Sequence, residues 1–236
     1  RFGLGDVAAA LPSALRAAGI DVRVLVPLYP ALAEAFPDAQ PIAQLPAPGG
    51  LLPTAVLREA VTPDGTPLLL LDCAELYARP GNPYLDAKGH NWNDNNIRFG
   101  LLSHVAALLG STGSPLRWKA DILHCNDWPC GMAPAYLHFM KGAKAATVMS
   151  IHNMAFQGIF PADTLAAPDE CRLFRIQEDL RAKAASDIGG DDAHLVFGQA
   201  EHEGAHQQAL DMRVLVRHVE RIAVLGAGIA RQRRAR

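Results

Sequence analysis

Residues 146–158 constrain the fold more than any other stretch, because an apolar, β-favouring run there passes straight into a polar loop. Thr147, Val148, Met149 and Ile151 make the run, and His152, Asn153 and Gln157 follow where such a strand would stop. A second segment repeats the pattern. Asp121–Cys125 reads as a short strand, Asn126-Asp127-Trp128-Pro129 follows it, and Gly131–Leu137 reads as a helix start. At the N-terminus, Gly3-Leu4-Gly5-Asp6 leads into Val7–Leu11, a glycine turn that opens a helix. Free backbone N–H groups and the helix dipole make such a turn suit an anion. Open parallel α/β sheets bind ligands beyond the carboxyl ends of their strands. His152 with Asn153, and Asp127 with Trp128, are therefore candidate site residues. A carboxylate can grip sugar hydroxyls while an aromatic face stacks on sugar C–H surfaces. The plainer alternatives are a His that caps a strand and a turn Asp beside a core Trp.

The rest of the first 167 residues alternates in the same way. Residues 6–19 read as a helix closed by Gly19, with Asp6 as its N-cap and Pro12 imposing a kink or a late restart. Asp21–Pro27 is an alternating strand with Val22, Val24 and Val26 on one side. Leu51–Ala60 and Pro67–Asp72 read as two strands joined through the Pro63-Asp64-Gly65 turn. Leu68–Leu71 is continuously apolar, as a strand buried on both faces should be. Asn95–Gly110 reads as a helix that stops at its glycine. The expected fold is α/β: a Rossmann-like parallel sheet with flanking helices.

Composition removes several classes. The net charge of −2 argues against a general polyanion-binding role, so no nucleic acid partner is expected. No run of eighteen apolar residues exists, so no membrane span is expected. No charged segment followed by an apolar one marks a secretory signal. The chain starts at Arg1 and not at Met, which reads as a fragment. Of its four cysteines, Cys125 and Cys130 are spaced C-x4-C, but no second pair completes a zinc set, and free thiols in a cytoplasmic protein are the better reading.

After residue 167 the chain changes character. Residues 168–236 hold eleven Lys/Arg and eleven Asp/Glu, against eleven and thirteen in the first 167, so the charge density about doubles. Pro168 is the only proline of this tail and it has no Trp. One reading is a divergent helical extension, with apolar residues at helical spacing over Asp211–Val224. The favoured one is a shifted reading frame whose product stays outside the domain core, mobile or loosely helical. His202-Glu203-Gly204-Ala205-His206 matches the zinc-protease pattern His-Glu-x-x-His. Gly204 weakens the helix this pattern needs by about 1 kcal/mol. Ala209 breaks the longer metzincin pattern, and nothing marks Glu220 as a third ligand. No metal site is expected, and a zinc hydrolase is a remote alternative.

Taken together, the motifs resemble those of bacterial glycogen synthases and plant starch synthases. Gly3-Leu4-Gly5-Asp6-Val7 with Ala10-Leu11-Pro12 is similar to that family's opening loop. His124-Cys125-Asn126-Asp127-Trp128, with Gly131 and Pro134, is similar to its His-x-x-Asp-Trp-x-x-Gly-x-x-Pro segment. Ile151–Gly158 is similar to its His-Asn-x-x-aromatic-Gln-Gly segment. Asn82-Pro83-Tyr84, Trp92, Asp94-Asn95 and Arg98-Phe99 also fit, and order and spacing agree over roughly residues 2–167. The resemblance implies the N-terminal half of a GT-B glycosyltransferase, incomplete here, with residues 1–167 a partial catalytic domain and 168–236 a divergent tail. It implies transfer of glucose from ADP-glucose to the non-reducing 4-hydroxyl of an α-1,4-glucan, with retention and with no cofactor, in the cytoplasm. It places His152 near the donor glucose and Asp127 on sugar hydroxyls near the reacting centre. The loop with Gly3, Gly5 and Asp6 would approach the diphosphate, with Asp6 also contacting sugar near the acceptor and donor glucose. Trp128, Asn153 and Gln157 would line the substrate cleft, and Tyr84 and Trp92 would either line it or anchor their loop. Arg1 and Phe2 depart from the family's Thr-Gly. Its preceding Lys and first strand would lie before Arg1, and the donor-binding second domain is not found. The alternative is therefore a catalytically inactive product with residual glucan binding.

Overall fold

The computed structural model describes residues 4–47, 52–152, 158, 160, 193–196 and 221–225. The elements in chain order are α1 (Leu4–Ala17), β1 (Asp21–Pro27), α2 (Pro30–Ala35), β2 (Gln40–Leu45), β3 (Ala55–Val61), β4 (Pro67–Asp72), α3 (Ala74–Tyr77), α4 (Asn95–Leu109), β5 (Ile122–Asn126), α5 (Ala133–Phe139), β6 (Ala146–Ser150), β7 (Ala193–Val196) and β8 (Arg221–Leu225). They build one eight-stranded sheet in the order β2-β3-β4-β1-β8-β5-β6-β7. All pairings from β4 through β7 are parallel, and β2 and β3 add an antiparallel edge. The expected α/β fold, a mostly parallel Rossmann-like sheet with helices on it, is the fold observed.

Strand periodicity divides the core in two. Val22, Val24 and Val26 of β1 point to one face, with Leu68 and Leu70 of β4 and Leu11 and Leu15 of α1. Leu25, Leu69, Leu71, Leu123 and Cys125 point to the other, against α4 and α5. Successive side chains on a strand alternate faces, so a strand covered on both sides must be apolar throughout, as Leu68–Leu71 is. The edge is different. β2 is half exposed, and its register shifts between Pro41 and Ala43, where a proline that cannot donate suits an edge strand.

Three expectations need correction. Residues 221–225 do not stay outside the core: β8 lies in the middle of the sheet, parallel to β1 on one side and β5 on the other. Ile222 and Val224 join the α1 face, Ala223 and Leu225 the α4 face, and all four are buried. The helical spacing read over Asp211–Val224 is thus wrong for 221–224, which form a strand; 211–220 lie outside the described residues. Arg221 fastens the start of β8, donating from Nη2 to Asp121 Oδ1 at 2.9 Å. Second, of the kink or late restart expected at Pro12, the restart is absent: α1 runs through Pro12 as one helix. Third, Asp6 lies within the first turn of α1 and not before it, so it is not the N-cap.

Candidate functional site

β5 and β6 are neighbours in register, Asn126 opposite Ser150, so their carboxyl ends bring the next residues of each strand together. Asp127 N donates to Ser150 O at 2.8 Å, which continues the pairing one step past the strand. The chain then turns sharply. Asp127 has φ 57° and ψ −179°, and is the one non-glycine with positive φ among the described residues. That region is almost glycine-only and costs about 1–3 kcal/mol, and residues held there cluster at functional sites. The strain aims the Asp127 carboxylate across to the next strand end, where Oδ1 accepts the His152 backbone N–H at 2.6 Å. A one-turn 3-10 helix, Trp128–Cys130, follows and leads toward α5.

A buried polar layer lies beneath this pair. Asn126 is fully buried; its Oδ1 meets His152 Nε2 at 3.0 Å and its Nδ2 donates to Leu225 O at 2.9 Å. His124 Nε2 meets Ser150 Oγ at 2.7 Å, and both residues are buried. Burial holds the His152 ring below its ordinary value, against the pull of the Asp127 carboxylate. His124 is pushed down to about 4, first by burial and then by His152. The sign follows. The unfolded state takes up a His124 proton as pH falls below about 6.5, while the folded state resists until about 4. Stability from this group is therefore full above about 6.5 and falls through that window, by about 3 kcal/mol at most. A His124→Asn variant should show a shallower fall of urea stability from pH 6.5 to 4 than the parent.

Aromatic side chains gather beside the strand ends. Trp128 packs 4.7 Å from Phe99, edge to face, and 5.8 Å from Tyr84. Tyr84 is set by its loop: Asn82 Oδ1 accepts from its backbone N–H at 2.8 Å, and Asn95 Nδ2 donates to its carbonyl at 2.9 Å. Buried Arg98 holds the same loop, donating to Leu76 O at 2.9 Å and Pro83 O at 3.1 Å. Burial, and then the Asp127 charge, raise the Tyr84 hydroxyl to about 12. Trp92 is tied to the same loop: its backbone N–H donates to Tyr84 O at 3.3 Å, Arg98 lies over its ring at 5.8 Å, and Arg79 lies over it at 5.0 Å while pairing with Asp94 at 2.7 Å. These contacts make it an anchor of the loop.

The structure thus brings together His152, Asp127, Trp128 and Tyr84. Gly5 and Asp6 lie in the first turn of α1. That helix returns directly into β1 and so runs against it, which puts this turn at the same carboxyl edge. Gly3, Asn153, Gln157 and the His202–His206 motif lie outside the described residues. Asn126 and Ser150 support the candidate site from below, and the sequence reading missed both. Asn126 sits beside the more conspicuous Asp127, and no motif logic separates it from the strand.

Gly158 marks how close the following loop comes. It has φ 60°, and a Cβ there would collide with the six-membered ring of Trp128. Gly158→Ala should displace Trp128 and change its fluorescence; an unchanged emission spectrum would count against this packing.

Residues 3–184 match the family profile described as starch synthase catalytic domain. The glycogen synthase of Dechloromonas aromatica is 61% identical over 165 residues, covering 70% of this chain and 33% of its own length. That of Nitrosospira multiformis is 52% identical over 168 residues, covering 70% and 34%. That of Aromatoleum aromaticum is 53% identical over 161 residues, covering 68% and 32%. The chain spans about a third of the length of these relatives.

Proposed function

The chain belongs to the starch synthase catalytic-domain family, and from that premise we propose that its carboxyl-edge site is the glucan-side half of a retaining α-1,4-glucosyltransferase using ADP-glucose. The observation that carries the proposal is the convergence of Asp127 and His152 from adjacent strand ends, joined by a 2.6 Å hydrogen bond, with Trp128 and Tyr84 beside them. In the transfer, the bond from the anomeric carbon to the diphosphate breaks and one to the acceptor 4-oxygen forms on the same face. The acceptor proton leaves with the diphosphate. Catalysis of this kind is positioning plus electrostatic stabilisation of a cationic sugar. Asp127 would accept from sugar hydroxyls, and its charge favours the developing cation. His152 would sit against the donor glucose. Trp128 and Tyr84, with Asn153 and Gln157, would line the sugar path, the backbone at Gly3 and Gly5 would face the diphosphate, and Asp6 would accept from sugar hydroxyls.

The proposal keeps 1–167 as the catalytic segment, with β7 and β8 supplied by the residues after it. No helix among the described residues is long and apolar enough to cross a membrane. Placement in the cytoplasm, where nucleotide sugars are made, belongs to the proposal.

Binding and transfer should separate in these 236 residues. Effective molarity from full enclosure is worth about 7–11 kcal/mol, and the relatives spend about two thirds of their length on what this chain does not span. The purified chain is expected to bind maltoheptaose weakly and to incorporate no labelled glucose from ADP-glucose into glycogen. Incorporation that His152→Ala abolishes would show that this half suffices. Absence of both binding and transfer would sink the reading of the site.

A further inference from the structure

We infer that Asn126 is a positioning residue that fixes the ring tautomer of His152, using the last carbonyl of β8 as its anchor. The amide has one orientation available. Its nitrogen faces two backbone carbonyls, Leu225 O at 2.9 Å and His124 O at 3.4 Å, and carbonyls only accept, so that edge is the NH2 group. The other edge is then the oxygen, 3.0 Å from His152 Nε2. An amide oxygen also only accepts, so Nε2 carries the proton. Asn126 is fully buried, with no water layer in which the amide could turn at small cost.

The consequence falls on the other ring nitrogen. A neutral imidazole protonated at Nε2 has its lone pair at Nδ1, so the ring meets a ligand as a hydrogen-bond acceptor. Burial, which keeps the ring below its ordinary value, favours that neutral form. The device joins segments remote in sequence: Leu225 at the end of β8 and Asn126 are 99 positions apart, yet the strand's terminal carbonyl sets which proton the site histidine carries. The inference rests on the proposed sugar site for its catalytic meaning only, since the tautomer is a property of the chain without ligand.

The test is long-range proton–nitrogen correlation on the chain carrying nitrogen-15 histidine, at neutral pH, with the His152 signals identified by their loss in His152→Gln. The expected spectrum has Nε2 protonated and Nδ1 unprotonated, with the Nε2–H proton directly visible and slow to exchange. Asn126→Leu, which keeps the shape and removes the acceptor, should lose that visible proton to fast exchange. A protonated Nδ1 in the parent chain would overturn the inference without recourse to any variant. So would an Nε2–H signal that persists unchanged in folded Asn126→Leu. Should the tautomer prove as expected while maltoheptaose and ADP-glucose shift no resonance, the sugar-site reading fails and the role of Asn126 stands.

Discussion

A chain ended at Glu220 is expected to lose cooperative unfolding altogether. The parent should unfold in urea in a single transition, whereas the shortened chain should bind apolar dye and drift without a midpoint. The reason is the position of β8. Among the described residues it is the only link in the sheet between β1 and β5, so removing it leaves two strand groups about 9–10 Å apart across an empty slot, twice the normal spacing. Ile222, Val224 and Leu225 are each at most 1% exposed. Side chains of this kind contribute about 1.5–3 kcal/mol each on burial, so the three together supply roughly 5–9 kcal/mol, comparable to the about 5–15 kcal/mol net stability of a whole domain. The ladder bonds to both neighbours go as well, exposing two strand edges. Ala223→Asp makes the same point with one residue, since a carboxylate there would be buried and unpaired. A shortened chain that unfolds with the parent's midpoint would show that β8 does not hold the sheet together.

Asp127 is the second position where a large effect is expected, and there stability and binding should part company. Its backbone is held where glycine alone is at ease, at a cost of about 1–3 kcal/mol. Its carboxylate accepts the His152 N–H, a charged hydrogen bond worth about 1.5–3 kcal/mol. In Asp127→Gly the two terms offset, so urea stability should stay within about 1 kcal/mol of the parent. Affinity for maltoheptaose should nevertheless fall by about 10- to 150-fold, the equivalent of one charged hydrogen bond. Asp127→Asn keeps an oxygen for His152 and loses the charge, so it should bind sugar at an intermediate level. If Asp127→Gly instead lost stability and kept its affinity, Asp127 would be an ordinary turn residue.

The sheet's middle was legible where local pattern and tertiary position agree. Leu68–Leu71 and Thr147–Ile151 are apolar runs bounded by turn signals, and each forms a strand at or within one residue of its expected place. β8 was not legible for a physical reason. Ile222–Leu225 is a four-residue apolar run that helix and strand patterns both accept, and what decides between them is an open slot between two strands about a hundred or more positions away. β2 was missed because an edge strand with Gln40, Pro41 and a register shift needs no apolar periodicity. At the site, Asp127 and His152 could be read because a polar pair after an apolar run is conspicuous. The backbone twist at Asp127 and the amide of Asn126 could not, since both depend on what the neighbouring strands present.

The most direct measurement follows backbone amide resonances of the chain as maltoheptaose is added. Asp127, Trp128, His152, Gly158 and Tyr84 are expected to shift together along one saturable curve, β2 and β3 at the far edge of the sheet to stay still, and Asp127→Asn to weaken the curve without moving the unperturbed signals. Shifts scattered over the surface, or a titration indifferent to the Asp127 change, would contradict the claim that these strand ends form a sugar site.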